Sequence, residues 1–70
     1  MMPLSYASQG EENIIRKIGG TPELKKHLEN LGFVAGSSVM VITSLNGNVI
    51  VKIKESRVAI SDEMARRIMI

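Results

Sequence analysis

The clearest pattern in the chain is an alternation of apolar and charged residues in its second half. Val49, Val51 and Ile53 fall on one side of an extended segment. Lys52 and Lys54 fall on the other side. A period of two places alternate side chains on opposite faces of a β-strand. We therefore predict a strand here, with one face in the core and the other in water.

A longer apolar stretch lies just before this strand. Residues 38–44 contain four consecutive apolar side chains, a pattern typical of a strand buried on both faces. Asn46-Gly47-Asn48 then separates the two apolar segments. Asn and Gly adopt a positive φ at little energetic cost, as tight hairpin turns require. The two segments are therefore predicted to form a β-hairpin.

Three shorter segments are predicted as further strands, giving about five strands in a mainly β chain. Each combines apolar, mostly β-branched residues with a nearby turn or polar connection. They cover residues 13–18, with Ile14 and Ile18 on one face, residues 57–60, which follow a connection at Glu55-Ser56 and point Val58 and Ile60 inward, and residues 68–70. Pairing of the last strand with the first would close a small barrel and hide both sheet edges.

One segment has the period of an α-helix instead. From Leu24 onward, leucines recur at i, i+4 and i+7, which places them on one helical face. Thr21 supplies an N-cap hydroxyl, and Pro22 suits the first helical turn. Gly32 follows the last leucine, where a left-handed residue ends many helices. We predict an inserted helix over about residues 22–31.

Apolar residues outside these elements are predicted to fasten them together. Phe33 stands where a Schellman motif folds an apolar side chain back onto Leu28.

Residues 1–10 have no sustained period and are predicted to form an N-terminal arm. Leu4 and Tyr6 are the expected anchors of that arm.

A second capping signal lies near the C-terminus. Ser61 precedes Asp62 and Glu63, so a short helical turn is predicted near residues 62–66. The two adjacent acids could act as a general acid and base. Adjacent helical side chains diverge, however, and acids in the first turn complement the helix dipole. We favour the second interpretation.

Composition limits the architecture to one domain, covering residues 1–70. The chain has 70 residues, of which 44% are hydrophobic and 23% charged, and it has no cysteine. Such a chain folds around a single core without disulfides or thiolate metal sites. No apolar run approaches the roughly 20 residues that span a bilayer, and the N-terminus lacks the features of a secretory signal. We therefore expect a cytoplasmic protein without direct membrane insertion.

The charge distribution disfavours nucleic-acid binding. Nine basic and seven acidic residues give a net charge of +2, and the two signs are interspersed. Tyr6 and Phe33 are the only aromatic residues. Nucleic-acid-binding domains usually combine a basic stripe with aromatic stacking platforms. Binding to single-stranded DNA therefore remains only the third choice among the possible functions.

Candidate catalytic and metal-binding residues are few. The only histidine, His27, follows Glu23 by one helical turn, so the two side chains could share a metal ion. Zinc takes three or four protein ligands, and the alternative is a simple surface pair of a histidine and a glutamate. No glycine-rich phosphate loop is present. We expect no catalytic residue and no cofactor.

Two exposed segments are candidates for contact with a protein partner. On the helix these are Lys25, Lys26 and Glu29, which fall outside the leucine stripe. In the hairpin they are Asn46, Asn48 and Ile50, because Ile50 interrupts an otherwise polar outward face. Ordinary solvated surface is the alternative for both segments.

Apolar residues and glycines follow one another in a distinctive order and spacing along almost the whole chain. These are Leu4, Ala7 and Gly10, then Gly19-Gly20-Thr21, Leu28-Glu29-Asn30-Leu31-Gly32-Phe33, Gly36 and Val39-Met40-Val41-Ile42, and finally Gly47, Val49, Ala59-Ile60, Ala65 and Ile68. In this order and spacing the chain resembles the FeoA family, the small proteins of bacterial ferrous iron transport. The chain departs from the family at His27, where arginine is frequent, and at Asn48, where proline is frequent.

The resemblance implies an SH3-like barrel with an inserted helix that acts in the cytoplasm. Its implied partner is the GTPase part of the FeoB-type membrane iron transporter, or a further small accessory subunit. The chain would then be a regulatory accessory of iron uptake and not an enzyme. The alternative is a stand-alone, metal-responsive module, because a related domain forms the tail of iron-dependent transcriptional repressors.

Overall fold

Six short strands, two α-helices and one 3₁₀ turn make up the fold, and the computed structural model describes residues 1–70. Four strands form an antiparallel sheet in the order β1-β3-β4-β5, and β2 pairs with β6 in a separate two-stranded sheet. The elements are the 3₁₀ turn Leu4–Tyr6, β1 Glu12–Ile14, β2 Lys17–Ile18, α1 Pro22–Asn30, β3 Ser38–Leu45, β4 Asn48–Ile53, β5 Ser56–Ser61, α2 Asp62–Arg67 and β6 Ile68–Met69.

The β3–β4 hairpin confirms the prediction from the Asn-Gly signal. Leu45 pairs with Asn48, leaving a two-residue loop. Asn46 and Gly47 have φ values of 51° and 81°. Positive φ at both loop positions is the signature of a type I′ turn, whose twist matches that of the flanking strands.

Only one face of β3 is fully buried, so the prediction of two buried faces was wrong. Val39 and Val41 are buried, whereas Met40 and Ile42 are half-buried. The register shifts between Val41 and Thr43, and such a bulge leaves an extra residue in one strand. The physical reason for the error is that the four-stranded sheet packs its core on one side only.

The predicted strand over residues 13–18 is broken in two. Ile15 is fully buried, while Ile14 is 50% exposed. The chain passes from the large sheet to the small one at this point. The Ile15 N–H donates to the Ser37 carbonyl, next to β3, and the Arg16 N–H donates to the Met69 carbonyl in β6, both at 2.8 Å. The prediction that Ile14 and Ile18 share one face of a continuous strand was wrong, because the chain turns a corner between them and only Ile18 is buried.

The last strand pairs with the first part of the chain as predicted, but the barrel is not closed by hydrogen bonds. Lys17 pairs with Met69 and Ile18 with Ile68. No strand ladder joins β5 to this two-stranded sheet. The prediction that both edges are hidden was therefore wrong, and β1 and β5 are the edges of the larger sheet. The barrel-like arrangement is nevertheless retained by packing around one core.

The turn between β4 and β5 lies one residue earlier than predicted. Ile53 pairs with Ser56, so Lys54 and Glu55 form the loop. Lys54 has a φ of 55°, a conformation that non-glycine residues adopt infrequently. The propensity argument missed this turn because lysine is not a typical residue for positive φ. With this register, Lys52 lies directly opposite Arg57.

The N-terminus of α1 forms as its capping residues predict. The Thr21 side-chain oxygen accepts a hydrogen bond from the Leu24 N–H at 3.2 Å, and Pro22 occupies the first helical position. Leu28 is fully buried, while Leu24 and Leu31 pack against the core at its margin. The apolar stripe therefore fixes which side of α1 faces the core.

The C-terminus of α1 is a Schellman motif. The Phe33 N–H donates to the Leu28 carbonyl and the Gly32 N–H to the Glu29 carbonyl, both at 2.9 Å. Gly32 has a φ of 104°, and Phe33 is fully buried. The helix ends at Asn30, one residue before the predicted end. These contacts turn the chain directly from the helix into the core.

The core contains fourteen residues, all of them apolar. Every helix and every strand except β1 contributes at least one side chain to it. The members are Leu4, Ile15, Ile18, Leu28, Phe33, Val39, Val41, Val49, Val51, Ile53, Ile60, Ala65, Ile68 and Ile70.

The N-terminal arm is held at its first turn and along the C-terminus. Leu4 is fully buried, as predicted, but Tyr6 is 75% exposed and does not anchor the arm. Met2 and Ile70 exchange two backbone hydrogen bonds, at 3.0 and 2.8 Å. The two ends of the chain are therefore tied to one another.

A short helix, α2, forms where the second capping signal predicts one. The Ser61 hydroxyl oxygen accepts a hydrogen bond from the Met64 N–H at 3.1 Å. Asp62 also pairs with Arg66 at 2.8 Å, an i, i+4 arrangement that supports a short helix. This ion pair agrees with a structural role for the acids of the first turn.

Replacement of Gly32 by alanine is predicted to lower the free energy of unfolding by about 1–3 kcal/mol, because a non-glycine residue is strained at this positive φ. A Cβ here would lie 3.8 Å from the nearest atom, in Ile53, so backbone strain and not a clash causes the loss. Gly19→Ala is the control, since Gly19 has no positive φ, and its effect is expected within about 1 kcal/mol. Equal denaturation midpoints for the two variants would contradict the assigned helix end.

Two alanine substitutions test the corner between β1 and β2. Ile15→Ala removes a fully buried side chain and is expected to destabilise the fold by about 2–5 kcal/mol. Ile14→Ala removes a side chain that is 50% exposed and is expected to cost less than about 1 kcal/mol. Urea denaturation of both variants measures the difference. The reverse order of stabilities would support a continuous strand instead.

Candidate partner-binding surfaces

The solvent side of α1 presents three charged side chains without ion-pair partners. We call Lys25, Lys26 and Glu29 the helix face, and all three are exposed. Together with Pro22 they line a shallow depression of about 350 Å³. The only ion pair in the structure is the one within α2. The helix face is therefore free to form charged contacts, and its capped helix holds it in place.

Glu23 and His27 lie on the same helix, one turn apart, and both are exposed. The two side chains do not form an ion pair with one another. No third histidine, aspartate or glutamate lies with them in a group that could hold a metal ion. Since zinc requires at least three protein ligands in its usual sites, these two residues do not form a complete metal centre.

The hairpin residues are placed apart from the helix face. Asn46 and Asn48 are exposed at the tip, and Ile50 is half-buried in β4. The Asp62 N–H donates to the Gly47 carbonyl at 2.8 Å, so the start of α2 supports the tip. The tip is therefore a fixed feature of the surface and not a free loop.

The two predicted contact segments lie toward opposite ends of β4. Gly32, at the end of α1, lies next to Ile53, the last residue of β4, whereas the hairpin tip precedes Asn48, its first residue. Five residues of extended chain span roughly 17 Å. The helix face and the hairpin tip therefore do not form one compact site.

A group of charged residues on the outer face of the large sheet was not predicted from the sequence. Lys52 and Arg57 are directly opposite one another in β4 and β5, and Lys54 lies in the adjoining turn. We call these three residues the cationic cluster. Lys52 and Lys54 also line a depression of about 150 Å³ with Glu12, Ser38 and Met40.

The missed signal was the register of the second hairpin. A turn at Glu55-Ser56 separates Lys52 from Arg57, whereas a turn at Lys54-Glu55 brings them together. The alternation of Lys52 and Lys54 was visible in the sequence, but the partner strand could not be aligned without the correct loop.

None of the helices has the length and apolar character needed to cross a membrane.

Comparison with known proteins identifies the family of this chain. The family model of the FeoA domain matches residues 2–70. A Methanocaldococcus jannaschii protein assigned as Fe(2+) transport protein A is 39% identical over 70 residues, which is all of this chain and 85% of that protein.

Solved structures of similar proteins share the fold of this chain. An iron uptake regulatory protein of the FeoA type has a TM-score of 0.86 at 27% identity, with 94% of this chain and 89% of that chain covered. FeoA of Stenotrophomonas maltophilia, a prokaryotic SH3 domain protein solved with zinc, has a TM-score of 0.85 at 20% identity over 99% of this chain and 88% of that one.

A longer protein contains the same fold as one of its parts. In a manganese-dependent transcriptional repressor, the match has a TM-score of 0.86 at 19% identity and covers 94% of this chain but 38% of that chain. At this identity the match shows the fold alone. The predicted SH3-like architecture is thus confirmed, and with the family match over residues 2–70 the chain belongs to the FeoA family, which is involved in ferrous iron transport.

Proposed function

We propose that the protein is a non-catalytic, cytoplasmic accessory of ferrous iron uptake that binds the GTPase part of an FeoB-type transporter. The observation that carries this proposal is membership of the FeoA family over residues 2–70. The relative assigned to Fe(2+) transport, at 39% identity, supports iron as the transported cargo. A further small accessory subunit is a second possible partner at the same surface.

The helix face is the proposed contact surface for the transporter. Lys25, Lys26 and Glu29 project from one rigid element and have no ion-pair partners within the chain. Charged groups of this kind increase association rates and set specificity when a partner supplies the opposite charges. The hairpin residues Asn46, Asn48 and Ile50 are proposed as a second contact region. Within β4, Ile53, which lies next to the end of α1, is roughly 10 Å from Ile50 and roughly 17 Å from Asn48, so a partner that uses both regions must cover an extended surface.

Calorimetry with the soluble GTPase part of the cognate transporter tests this proposal. We expect binding in the micromolar range for the unmodified chain, and about fivefold to tenfold weaker binding for the double substitution Lys25→Glu and Lys26→Glu. Reversal of two exposed charges typically changes the binding free energy by about 1 kcal/mol or slightly more. Because both lysines are exposed, the variant should keep its melting temperature.

A matched control carries the same change in net charge at another site. Arg16→Glu with Lys17→Glu alters two exposed basic residues, one just before β2 and one at its start, and neither belongs to the helix face. This control should bind as the unmodified chain does. Failure of the unmodified chain to bind at high micromolar concentration would count against the function itself. Equal weakening by both double variants would retain the function but reject the helix face as its surface.

A metal-responsive regulatory module is the second candidate function. The manganese-dependent repressor with the same fold and the relative solved with zinc favour it. Glu23 and His27 would supply two ligands from this chain. The remaining ligands would have to come from a partner, since no group of three candidate ligands exists in the structure.

Titration with zinc and, under anaerobic conditions, with ferrous ions separates the two candidates. The chain alone should show no site of micromolar affinity, because two exposed ligands are too few. If the second candidate is correct, adding a partner protein that supplies the remaining ligands should create a metal site. His27→Ala should weaken metal binding at that site, and Lys26→Ala is the control on the same helix. A partner complex whose metal affinity does not change with His27→Ala would exclude this role for His27.

A further inference from the structure

Strand β5 presents unused backbone hydrogen-bonding groups to solvent. The two-residue loop makes Ile53 and Ser56 a mutually hydrogen-bonded pair, and the direction of the backbone groups alternates from there along the strand. Residues at even positions of β5 therefore point their N–H and C=O groups toward β4. The peptide groups of Arg57 and Ala59 point away from the sheet.

A hydrogen bond at the far end of β5 supports this assignment. The Asp62 N–H donates to the Gly47 carbonyl at 2.8 Å, which continues the series of even positions that face β4. None of the backbone hydrogen bonds formed outside the regular elements involves Arg57 or Ala59, and both residues are exposed. Their two N–H and two C=O groups are therefore available to an added strand.

No other element packs extensively against this edge. The extended contacts of β5 are with β4, its hairpin partner, and with α2, which follows it directly. The sheet that contains β2 and β6 forms no ladder with β5. An open edge of six residues is long enough to accept a short extended peptide.

The charges beside the edge indicate what kind of peptide it would accept. Lys52 lies directly opposite Arg57, and like charges in such a pair destabilise a sheet. Neither these two residues nor Lys54 has an ion-pair partner. Glu12 lies opposite Met40, which lies opposite Lys52, so Glu12 is two strands from Lys52 and three strands from Arg57. It shares a depression with Lys52 and Lys54, and Glu55 lies in the turn, but neither acid forms an ion pair with the cationic cluster. No ion pair within the chain therefore neutralises these three cations.

The inner side of the same edge is apolar. Val58 is only partly buried and packs against the core, and Ile60 follows it at the next inward position. Side chains of an added strand would alternate between this apolar side and the outer side with Arg57. An extended segment that alternates acidic and apolar residues fits both sides.

We propose that β5 binds an extended, acidic and apolar segment of a partner protein as a fifth strand of the large sheet. Backbone groups of Arg57 and Ala59 would supply the ladder, and the cationic cluster would select acidic side chains. A second copy of this chain fits less well, because it would bring the same unpaired cations to the edge. This surface is distinct from the helix face, so the proposal does not depend on the transporter interaction.

A peptide of three Glu-Val repeats, blocked at both ends, is the probe. We expect saturable binding that weakens as salt is added, and amide exchange at Arg57 and Ala59 that is rapid in the free chain and slowed in the complex. The amides of Val58 and Ile60 should be protected in both states, because they already bond to β4. A peptide of three Lys-Val repeats should not bind.

Substitutions in the strand and in the peptide separate the contributions of charge and backbone. Arg57→Glu should weaken binding at least about fivefold, whereas Arg16→Glu, with the same change in charge, should leave it unchanged. Ala59→Pro removes one outward N–H and should abolish binding, with Ala59→Val as its control. If the proline variant fails to fold, a Glu-Val peptide with N-methylated amides makes the same test on the unmodified chain.

Three results would overturn the proposal. The first is the absence of saturable binding of the Glu-Val peptide, which would mean that Arg57 only prevents pairing of this edge with other chains. The second is binding that shifts only amides of α1. The third is a concentration-dependent dimer in sedimentation that Ala59→Pro disrupts, because a second copy would then be the occupant of the edge.

Discussion

The rest of the structure depends on one constraint, which is that a chain of 70 residues can build only one core and must build it from nearly every element. All fourteen buried residues are apolar, and no polar or charged residue is buried. A domain of this size buries a smaller fraction of its surface than a larger domain does and has little stability to spare. Every element except β1 therefore gives apolar side chains to the same cluster, and all charged groups are left on the outside.

This constraint also explains why the plausible functions concern binding. Deep pockets and buried ionisable groups, which most active sites use, need a core large enough to surround them. Here the two depressions beside the candidate surfaces are lined largely by exposed charged residues such as Lys25 and Lys52. Surfaces of this kind suit the partner binding that is proposed above.

The parts of the fold that sequence could predict are those that local chemistry determines. Thr21 and Gly32 mark the ends of α1 within one residue, and Asn46-Gly47 forms the hairpin that its preference for positive φ indicates. The corner at Ile15 could not be predicted, because it depends on two sheets meeting there. Barrel closure could not be predicted either, since it depends on the relation of strands that are distant in sequence.

The candidate surfaces divide in the same way. The helix face follows from a helical period of leucines, so Lys25 and Lys26 could be assigned to solvent from the sequence alone. To predict that Lys52 lies opposite Arg57, one needs the register of the β4–β5 hairpin. The predicted turn was misplaced by one residue, so this pair was not predicted. The register of a hairpin is fixed by its turn type and loop length, and the positive φ of Lys54 made this turn hard to place, whereas the helix orientation follows from a repeat of leucines.

The open edge of β5 and the cationic cluster are best understood together. An edge strand without protection invites pairing with other chains, and an exposed charge is a common protection. One charge at Arg57 would serve that purpose, yet Lys52 lies directly opposite it and adds repulsion to a fold of small stability. Protection alone does not explain the second cation, because Lys52 lies in the interior strand β4 and not at the edge. Recognition of an acidic strand explains both cations, because a carboxylate opposite Arg57 would reduce the repulsion between Arg57 and Lys52. The backbone of the same strand would complete the hydrogen-bond ladder at the edge of β5.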